Sequence, residues 1–373
     1  MQALFNTILI ALLIFLFAVF AVGLPILAHL GRRNRFAEIS LIVILLAISF
    51  FALVLGSLGA LVGWSGATVP ELSVPPGAFA GFGLVVAIAG LAGIALCVPP
   101  LRRVFRHGHA SLSRGVTSGG SEDFTNGEHS GREHPQETRS GIRWSDPPTF
   151  YALWLLVVVL ANNVSNLLAF VLAPNAFGSV FSSTGRLSPF TVLVNQLPLV
   201  IVAVFGVGLG VQRNFRQTLA RLGYGPLTLP QLGVVALFVV GAILLSLVSD
   251  YLFSILQPDL YEEVGRVSGG LFGTEGLGLG SVILFALLIG LGAGIGEETL
   301  IRGAVQPALG ITLASVLWAS LHVEYGPSIL LIYIFLLSIA LGILRRRVNT
   351  TATFVAHSCY NASLVLLSYF LGT

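Results

Sequence analysis

Long apolar runs separated by short polar segments form the main pattern of this chain. A helix of about 20 apolar residues spans the hydrocarbon of a bilayer, and about ten stretches reach or approach that length. The eighth is short and ends in a histidine and a glutamate, so we expect it to stop partway across. The pattern predicts an all-α, polytopic membrane helix bundle with about ten transmembrane helices. The stretches are residues 3–30, 38–63, 79–101, 149–173, 190–212, 231–256, 280–306, 310–324, 327–344 and 351–371.

Composition agrees with this pattern. The chain is 55% hydrophobic and 9% charged, with a mean hydropathy of +0.92, whereas a soluble domain carries about 25% charged residues. The sequence therefore predicts a multi-pass integral membrane protein, which we expect in a prokaryotic cell membrane among membrane lipids. The net positive charge of the chain comes from short arginine clusters between the apolar runs. Such clusters indicate how the chain is oriented in the membrane, and they do not indicate a nucleic-acid partner.

The arginine clusters also predict the topology. The first apolar run is followed by GRRNR rather than by a small-residue cleavage site, so it is read as a membrane span and not as a signal peptide. Each cluster follows an odd-numbered span, which places those loops in the cytoplasm and both termini outside. The clusters are Arg32, Arg33 and Arg35; Arg102, Arg103 and Arg106; Arg213, Arg216 and Arg221; and Arg345, Arg346 and Arg347.

One long polar stretch divides the chain. Residues 104–148 are rich in Gly, Ser, His and mixed charge, a composition that buries too little apolar surface to fold. We expect a disordered cytoplasmic linker there. It separates an N-terminal three-span membrane region, 1–103, from a two-span region and loop, 149–229, and a C-terminal helix bundle, 230–373.

Isolated polar residues and thiols receive simpler interpretations. Cys97 and Cys359 both lie in apolar runs, so a disulfide framework and a thiolate metal site are not expected. The segment Tyr261–Arg266 is acidic and predicts a short surface helix. Amides in the fourth and fifth spans are interpreted as interhelical hydrogen bonds, with a substrate path as the alternative. They are Asn162, Asn163, Asn166, Asn195 and Gln196.

Three short patterns in the last third of the chain place polar groups in apolar helices, and the first carries Glu297, Glu298 and Arg302. Residues four apart share a face of an α-helix, so Glu298 and Arg302 are expected to pair. Glu297 is rotated by about 100° and left without that partner. A buried carboxylate without a cation suits a general base. The alternative is a structural ion pair near the cytoplasmic end of the helix.

The other two patterns carry histidines. Trp318 and His322 are four residues apart, so the indole is expected to form a wall beside the imidazole. Taken alone, His322 is equally well an interfacial histidine. His357 and Asn361 project to one side of the last helix and are expected to aim two donors at one point, as a developing oxyanion requires. The alternative for this pair is a polar clamp between helices.

A run of glycines precedes the two carboxylates. Gly290, Gly292, Gly294 and Gly296 form two small-xxx-small pairs, which predict close approach of neighbouring helices. Estimated depths along the helices place all three patterns in the cytoplasmic half of the membrane.

At these residues the sequence resembles the CPBP family of intramembrane proteases, also called the CAAX protease or Abi family. The family pattern is EExxxR, an aromatic-xxxHis and HxxxN on successive helices, with Trp318 standing where phenylalanine is more usual. The resemblance implies that residues 230–373 form a catalytic helix bundle that hydrolyses a peptide bond of a membrane-associated or lipidated peptide or protein. Glu297 and His322 would activate a water, and His357 and Asn361 would stabilise the oxyanion. Glu298 and Arg302 would support the site.

The resemblance leaves the cofactor open. Glu297, His322 and His357 could ligate Zn²⁺ with one open position, whereas a water activated by a glutamate and a histidine needs no metal. The sequence favours the metal-free alternative.

Two other functions stay open. A non-enzymatic membrane partner, such as a bacteriocin-immunity or scaffold protein, would explain the additional three-span region and linker. A transporter with a proton relay through buried Glu and His is the third possibility, but no internal repeat typical of many carriers is found.

Overall fold

The computed structural model describes residues 12–66, 75–98, 146–173 and 188–371, and these ranges are helical with no strand. The predicted all-α class is therefore confirmed for the described residues. A π-helix, Gly294–Val305, connects two of the α-helices. The α-helices are α1 (Leu12–Gly31), α2 (Arg35–Trp64), α3 (Pro76–Cys97), α4 (Pro147–Leu172), α5 (Pro189–Asn195), α6 (Leu197–Gly206), α7 (Phe215–Leu222), α8 (Leu229–Leu256), α9 (Pro258–Phe272), α10 (Leu279–Ala293), α11 (Gln306–Ser320), α12 (Leu330–Arg347) and α13 (Thr350–Leu371).

Seven helical segments of the described chain are long and apolar enough to cross a membrane. Many of their large apolar side chains face outward, and Leu237 of α8, for example, is 74% exposed. In a membrane such side chains meet lipid, so the chain is a multi-pass integral membrane protein. The ten predicted spans exceed these seven for three reasons. The pair α5 and α6, and the helix α12 with its terminal arginines, are predicted as spans but are not among the seven. The long run Leu279–Ser320 is one segment in the structure and two spans in the prediction.

The long run, Leu279–Ser320, is bent at Gly310. Gly310 has φ 86° and ψ 169°, a conformation that residues with a Cβ rarely adopt. Beyond this bend the helix continues only to Ser320, about 15 Å further on. This length is short of the roughly 20 residues that span a bilayer, and the predicted stop partway across stays a prediction. His322 therefore lies in a turn after the helix, and its predicted place on the helix itself is wrong.

The N-terminal helices are held together by close packing and a short polar chain. A Cβ on Gly83 of α3 would lie 2.2 Å from the backbone nitrogen of Ala60 in α2, so only glycine permits this contact. The indole nitrogen of Trp154 in α4 donates to Ser49 Oγ of α2 at 2.8 Å, and Ser49 Oγ donates to the carbonyl of Leu45. These bonds satisfy buried polar groups and fix α4 against α2.

One buried apolar cluster connects the N-terminal and C-terminal helices of the described chain. It includes Ala28 of α1, Leu45 of α2, Trp154 of α4, Ile301 of the π-helix and Leu341 of α12. The division into four units stays a prediction, and the predicted linker lies almost entirely outside the described residues.

One prediction for the polar segments is confirmed and another holds for one residue. The acidic segment belongs to α9, which buries Val264, Val267 and Leu271 on one side and exposes the other. Of the five amides, Asn163 forms the expected interhelical hydrogen bond, from Nδ2 to Ser320 Oγ of α11 at 2.9 Å. Asn162 instead binds Asn163 within α4, and Oε1 of Gln196 is buried without a partner among the described residues.

An ion pair joins the end of α1 to the start of α4. Arg32 Nε and Nη2 bind Asp146 Oδ1 and Oδ2, both at 2.6 Å. Burial opposes the ionisation of Asp146, but the hydrogen bonds and charge of Arg32 outweigh it and hold the pKa of this carboxyl below its usual value.

We predict that Asp146→Asn lowers the free energy of unfolding by about 0.5–1 kcal/mol at pH 7. Because the folded-state pKa is lowered, the wild-type advantage is present above the unfolded-state pKa, near 4. It is lost as the pH falls through the folded-state value. Unfolding curves in detergent at pH 7 and about pH 3 measure this difference. Glu262→Gln, at an exposed position of α9, is the control and is expected to behave like wild type. A difference for Asp146→Asn that does not change with pH would contradict the prediction.

Candidate active site

The first sequence pattern lies on the π-helix Gly294–Val305. A π-helix forms i→i+5 hydrogen bonds, is rare, and occurs frequently at functional sites. The α-helical rotation of about 100° per residue therefore does not apply to Glu297 and Glu298, and the sequence-based angle between them is wrong. The predicted pairing of Glu298 with Arg302 is nevertheless present, with Glu298 Oε2 3.4 Å from Arg302 Nε.

The glycines bring the backbone of this segment against two neighbouring helices. A Cβ on Gly290 would lie 2.3 Å from the carbonyl oxygen of Ser358 in α13. On the other side, a Cβ on Gly296 would lie 2.1 Å from Oε1 of Gln196, between α5 and α6. Real Cβ atoms are not found at such distances, so the predicted close approach is confirmed, and it occurs on two sides.

A buried network surrounds Glu298. Its side chain is fully buried, and Arg302 is 1% exposed. Glu298 Oε1 lies 2.9 Å from Nδ1 of His357 in α13. Arg302 Nη2 donates to Ser338 Oγ of α12 at 3.1 Å. Glu298 thus has partners on its own helix and on α13, and the contact with His357 is not predicted by the sequence.

Trp318 of α11 contacts members of all three patterns. Its indole nitrogen donates to Glu297 Oε2 at 2.5 Å. Its ring centroid lies 4.8 Å from that of His322 and 5.4 Å from that of His357, both edge to face. The guanidinium carbon of Arg302 lies 4.8 Å from the indole centroid, within the range of a cation–π contact. One buried side chain therefore brings Glu297, His322 and His357 together.

The tautomer of His322 follows from its partner. Nδ1 lies 2.9 Å from the backbone carbonyl of Trp318, which can only accept a hydrogen bond. Nδ1 therefore carries the hydrogen, and the lone pair of the neutral ring is on Nε2. Tyr325 stacks on the imidazole with centroids 6.1 Å apart and an interplanar angle of 9°. The only feature of the sequence that indicates this stacking is the position of Tyr325 three residues after His322.

His357 and Asn361 lie side by side on α13. Asn361 Nδ2 is 3.2 Å from His357 Nε2. With Nδ1–H donating to the Glu298 carboxylate, Nε2 of the neutral ring accepts one amide hydrogen of Asn361. The second amide hydrogen has no part in this bond. His357 can donate from Nε2 only when both ring nitrogens carry hydrogen.

A further contact that the sequence does not predict stabilises the π-helix. The hydroxyls of Tyr224 and Thr299 are 2.5 Å apart. Tyr224 lies in the GYGPLTLP segment before α8. The start of this segment is held to α13 by a hydrogen bond from the backbone N–H of Thr350 to the carbonyl of Gly223 at 2.9 Å. This segment therefore supports the site from outside its three patterns.

The side chains do not fit a zinc site. The described residues contain no group of three or more His, Cys, Asp or Glu that could hold a metal ion. Both nitrogens of His357 are directed to Glu298 and Asn361, and Nδ1 of His322 is bound to a carbonyl. The predicted alternative set of Glu297, His322 and His357 is therefore not supported.

The fold and site define a polytopic helical membrane protein with glutamate and histidine side chains clustered inside its bundle. Residues 279–363 match the family model described as Rce1-like, type II CAAX prenyl endopeptidase. The chain therefore carries a domain of this family, as the three patterns predict. Membership indicates an intramembrane protease with protein or peptide substrates. No curated protein and no solved structure matches the chain.

We predict that Arg302→Ala lowers the free energy of unfolding by about 3–5 kcal/mol, because it leaves the Glu298 carboxylate buried without its cation. Arg266→Ala is the matched control, since it removes the cation of the exposed pair Glu263–Arg266 and is expected to cost less than about 1 kcal/mol. Unfolding of both variants in the same detergent gives the comparison. Equal losses for the two arginines would contradict the assignment of Arg302 to a buried structural pair.

Proposed function

We propose that the chain is an intramembrane endopeptidase in which Glu297 and His322 activate a water for attack on a peptide carbonyl. The observation that carries the proposal is the contact of one indole, Trp318, with both side chains. The indole N–H of Trp318 donates to Glu297, and the backbone carbonyl of Trp318 accepts from His322. The same residue therefore orients both groups.

Exposure separates groups that can meet a substrate from groups that support them. Glu297, His322 and Asn361 are half-buried, whereas Glu298, Arg302, Trp318 and His357 are buried. A catalytic group must reach the reacting atoms, so Glu297, His322 and Asn361 are proposed as the catalytic residues. The buried group positions them.

The water is held between Glu297 Oε1 and His322 Nε2. Both atoms are acceptors, since Glu297 Oε2 is used by the indole and His322 Nδ1 by the backbone carbonyl. As the water oxygen bonds to the carbonyl carbon, its proton passes to Glu297 or His322. The same proton is then given to the leaving amine nitrogen when the C–N bond breaks.

The negative charge that develops on the carbonyl oxygen is stabilised by Asn361. One amide hydrogen binds His357 Nε2, and the other is free to donate to the oxyanion. His357 was predicted as a second donor. With its Nδ1–H bound to Glu298, the neutral ring instead positions Asn361.

The proposed substrate is a membrane-associated or lipidated peptide or protein. The family match supports a peptide substrate, and the apolar helices around the site favour one that enters from the membrane.

We predict that Glu297→Gln and His322→Ala each lower the cleavage rate about 10²–10⁴-fold, and that Asn361→Ala lowers it about 10²–10³-fold. The assay uses the full chain in proteoliposomes with a fluorescent peptide reporter carrying a lipid anchor. Cys359→Ala is the control, because this exposed thiol lies two residues from His357 and has no proposed role.

Equal cleavage by wild type and Glu297→Gln would refute the enzyme assignment. A membrane function that survives Glu297→Gln and is lost on deletion of residues 1–148 would favour the non-enzymatic partner instead. In the same assay, 1,10-phenanthroline is expected to leave cleavage unchanged. Loss of cleavage that Zn²⁺ restores would contradict water activation by Glu297 and His322 alone.

A further inference from the structure

A separate cavity of about 370 Å³ lies between the N-terminal helices and the C-terminal bundle. Its walls come from α1, α4, α6, α11 and the π-helix. The π-helix contributes Leu300, Ala304 and Val305, and none of the seven residues of the proposed active site lines the cavity. The cavity is therefore distinct from the site at Glu297.

The body of the cavity is apolar and elongated. Phe17 and Val159 line one end of it, whereas Arg32, just after α1, and Asp146, just before α4, line the other. From Arg32 to Phe17 along α1, and from Asp146 to Val159 along α4, the distance is about 20 Å. The cavity is therefore long enough to accommodate a hydrocarbon chain.

The other end of the cavity is cationic. Arg32 and Arg213 line it together with one carboxylate, Asp146, whereas Arg221 lines the cavity with Nη1 3.5 Å from the carbonyl of Gly303. Asp146 is already bound on both oxygens by Arg32. Arg213 donates from Nη1 to the carbonyl of Val207, and both burial and the charge of Arg32 lower its pKa. Positive charge at this end therefore exceeds negative charge among the described residues.

A buried polar atom lies near the same end. His29 is 3% exposed and lines the cavity three residues before Arg32. Its Nε2 lies 3.0 Å from the carbonyl of Gly206 and so carries the hydrogen. Nδ1 is buried with no hydrogen-bond partner in the described chain. Because this atom has almost no accessible surface, the cavity does not reach it, and His29 contributes only its ring to the wall.

We propose that this cavity binds one acyl chain of an anionic membrane lipid, with the phosphate at Arg213. The apolar length of the cavity accommodates the chain, and the excess positive charge complements the phosphate. The three arginines belong to clusters predicted to be cytoplasmic, so the headgroup lies at that membrane face. The bound lipid would join α1 and α4 to the π-helix that carries Glu297.

The test uses the full chain in nanodiscs of phosphatidylcholine with 10% phosphatidylglycerol, whose acyl chain carries a terminal diazirine. After illumination, mass spectrometry is expected to locate cross-links at Phe17, Val159 or Leu317, inside the cavity. Cross-links confined to the lipid-facing side of α8, such as Leu237, would overturn the proposal. The readout does not depend on catalysis, so Glu297→Gln is expected to cross-link like wild type.

Two variants test the two parts of the site. Arg213→Gln is expected to lower cavity cross-linking about tenfold, the loss typical of one charge-assisted hydrogen bond. Ala152→Phe, which fills the cavity from α4, is expected to lower it while the protein remains monodisperse. Arg216→Gln, an exposed arginine one turn away that does not line the cavity, is the control. Equal losses for Arg213→Gln and Arg216→Gln would refute a specific headgroup site.

Competition separates the lipid from a free anion. Unlabelled phosphatidylglycerol is expected to reduce cavity cross-linking, and inorganic phosphate at the same concentration is not, because it lacks the chain. Equal competition by phosphate would show that the headgroup pocket alone binds, and would overturn the acyl-chain proposal.

Discussion

A charged side chain inside an apolar bundle needs a compensating charge and hydrogen bonds, and Glu298 is where this requirement is most severe. Its carboxylate is fully buried and meets Arg302 from the same helix and His357 from α13. Desolvation makes such a network costly to form and still more costly to break. Glu298 therefore joins the π-helix to α13 directly, and Arg302 extends the network to Ser338 of α12.

The orientation of the remaining polar groups follows from that arrangement. Glu298 accepts a hydrogen bond from Nδ1 of His357, and Nε2 of the same ring is then available to accept one from Asn361. Arg302 lies against the indole of Trp318, and the same indole donates to Glu297. The buried Glu298 and Arg302 thus orient the half-buried Asn361 and Glu297 through His357 and Trp318. Catalysis requires preorganisation of this kind. The two adjacent glutamates differ in surroundings, because Glu298 is buried among charged partners and the half-buried Glu297 contacts the network through the indole of Trp318.

The sequence predicts those features that depend on short-range spacing or on apolar length. The pairing of Glu298 with Arg302 and the close approach at Gly290 and Gly296 follow from residues four apart. The π-helix has no comparable local signal in the sequence, and its backbone lies close against α13 and Gln196. The bond between Glu298 and His357 joins residues 59 positions apart and depends on the tertiary fold. Whether the clustered residues carry the proposed roles stays a prediction.

The central claim is that Glu298 supports the fold and Glu297 performs the chemistry. The most direct test is to measure the free energy of unfolding of Glu297→Gln and Glu298→Gln side by side in one detergent. We expect Glu298→Gln to lose about 3–5 kcal/mol, because Arg302 stays buried without its anion. Glu297→Gln is expected to remain within about 1 kcal/mol of wild type, since the amide oxygen still accepts from the indole. Equal losses, or a larger loss for Glu297→Gln, would contradict the account.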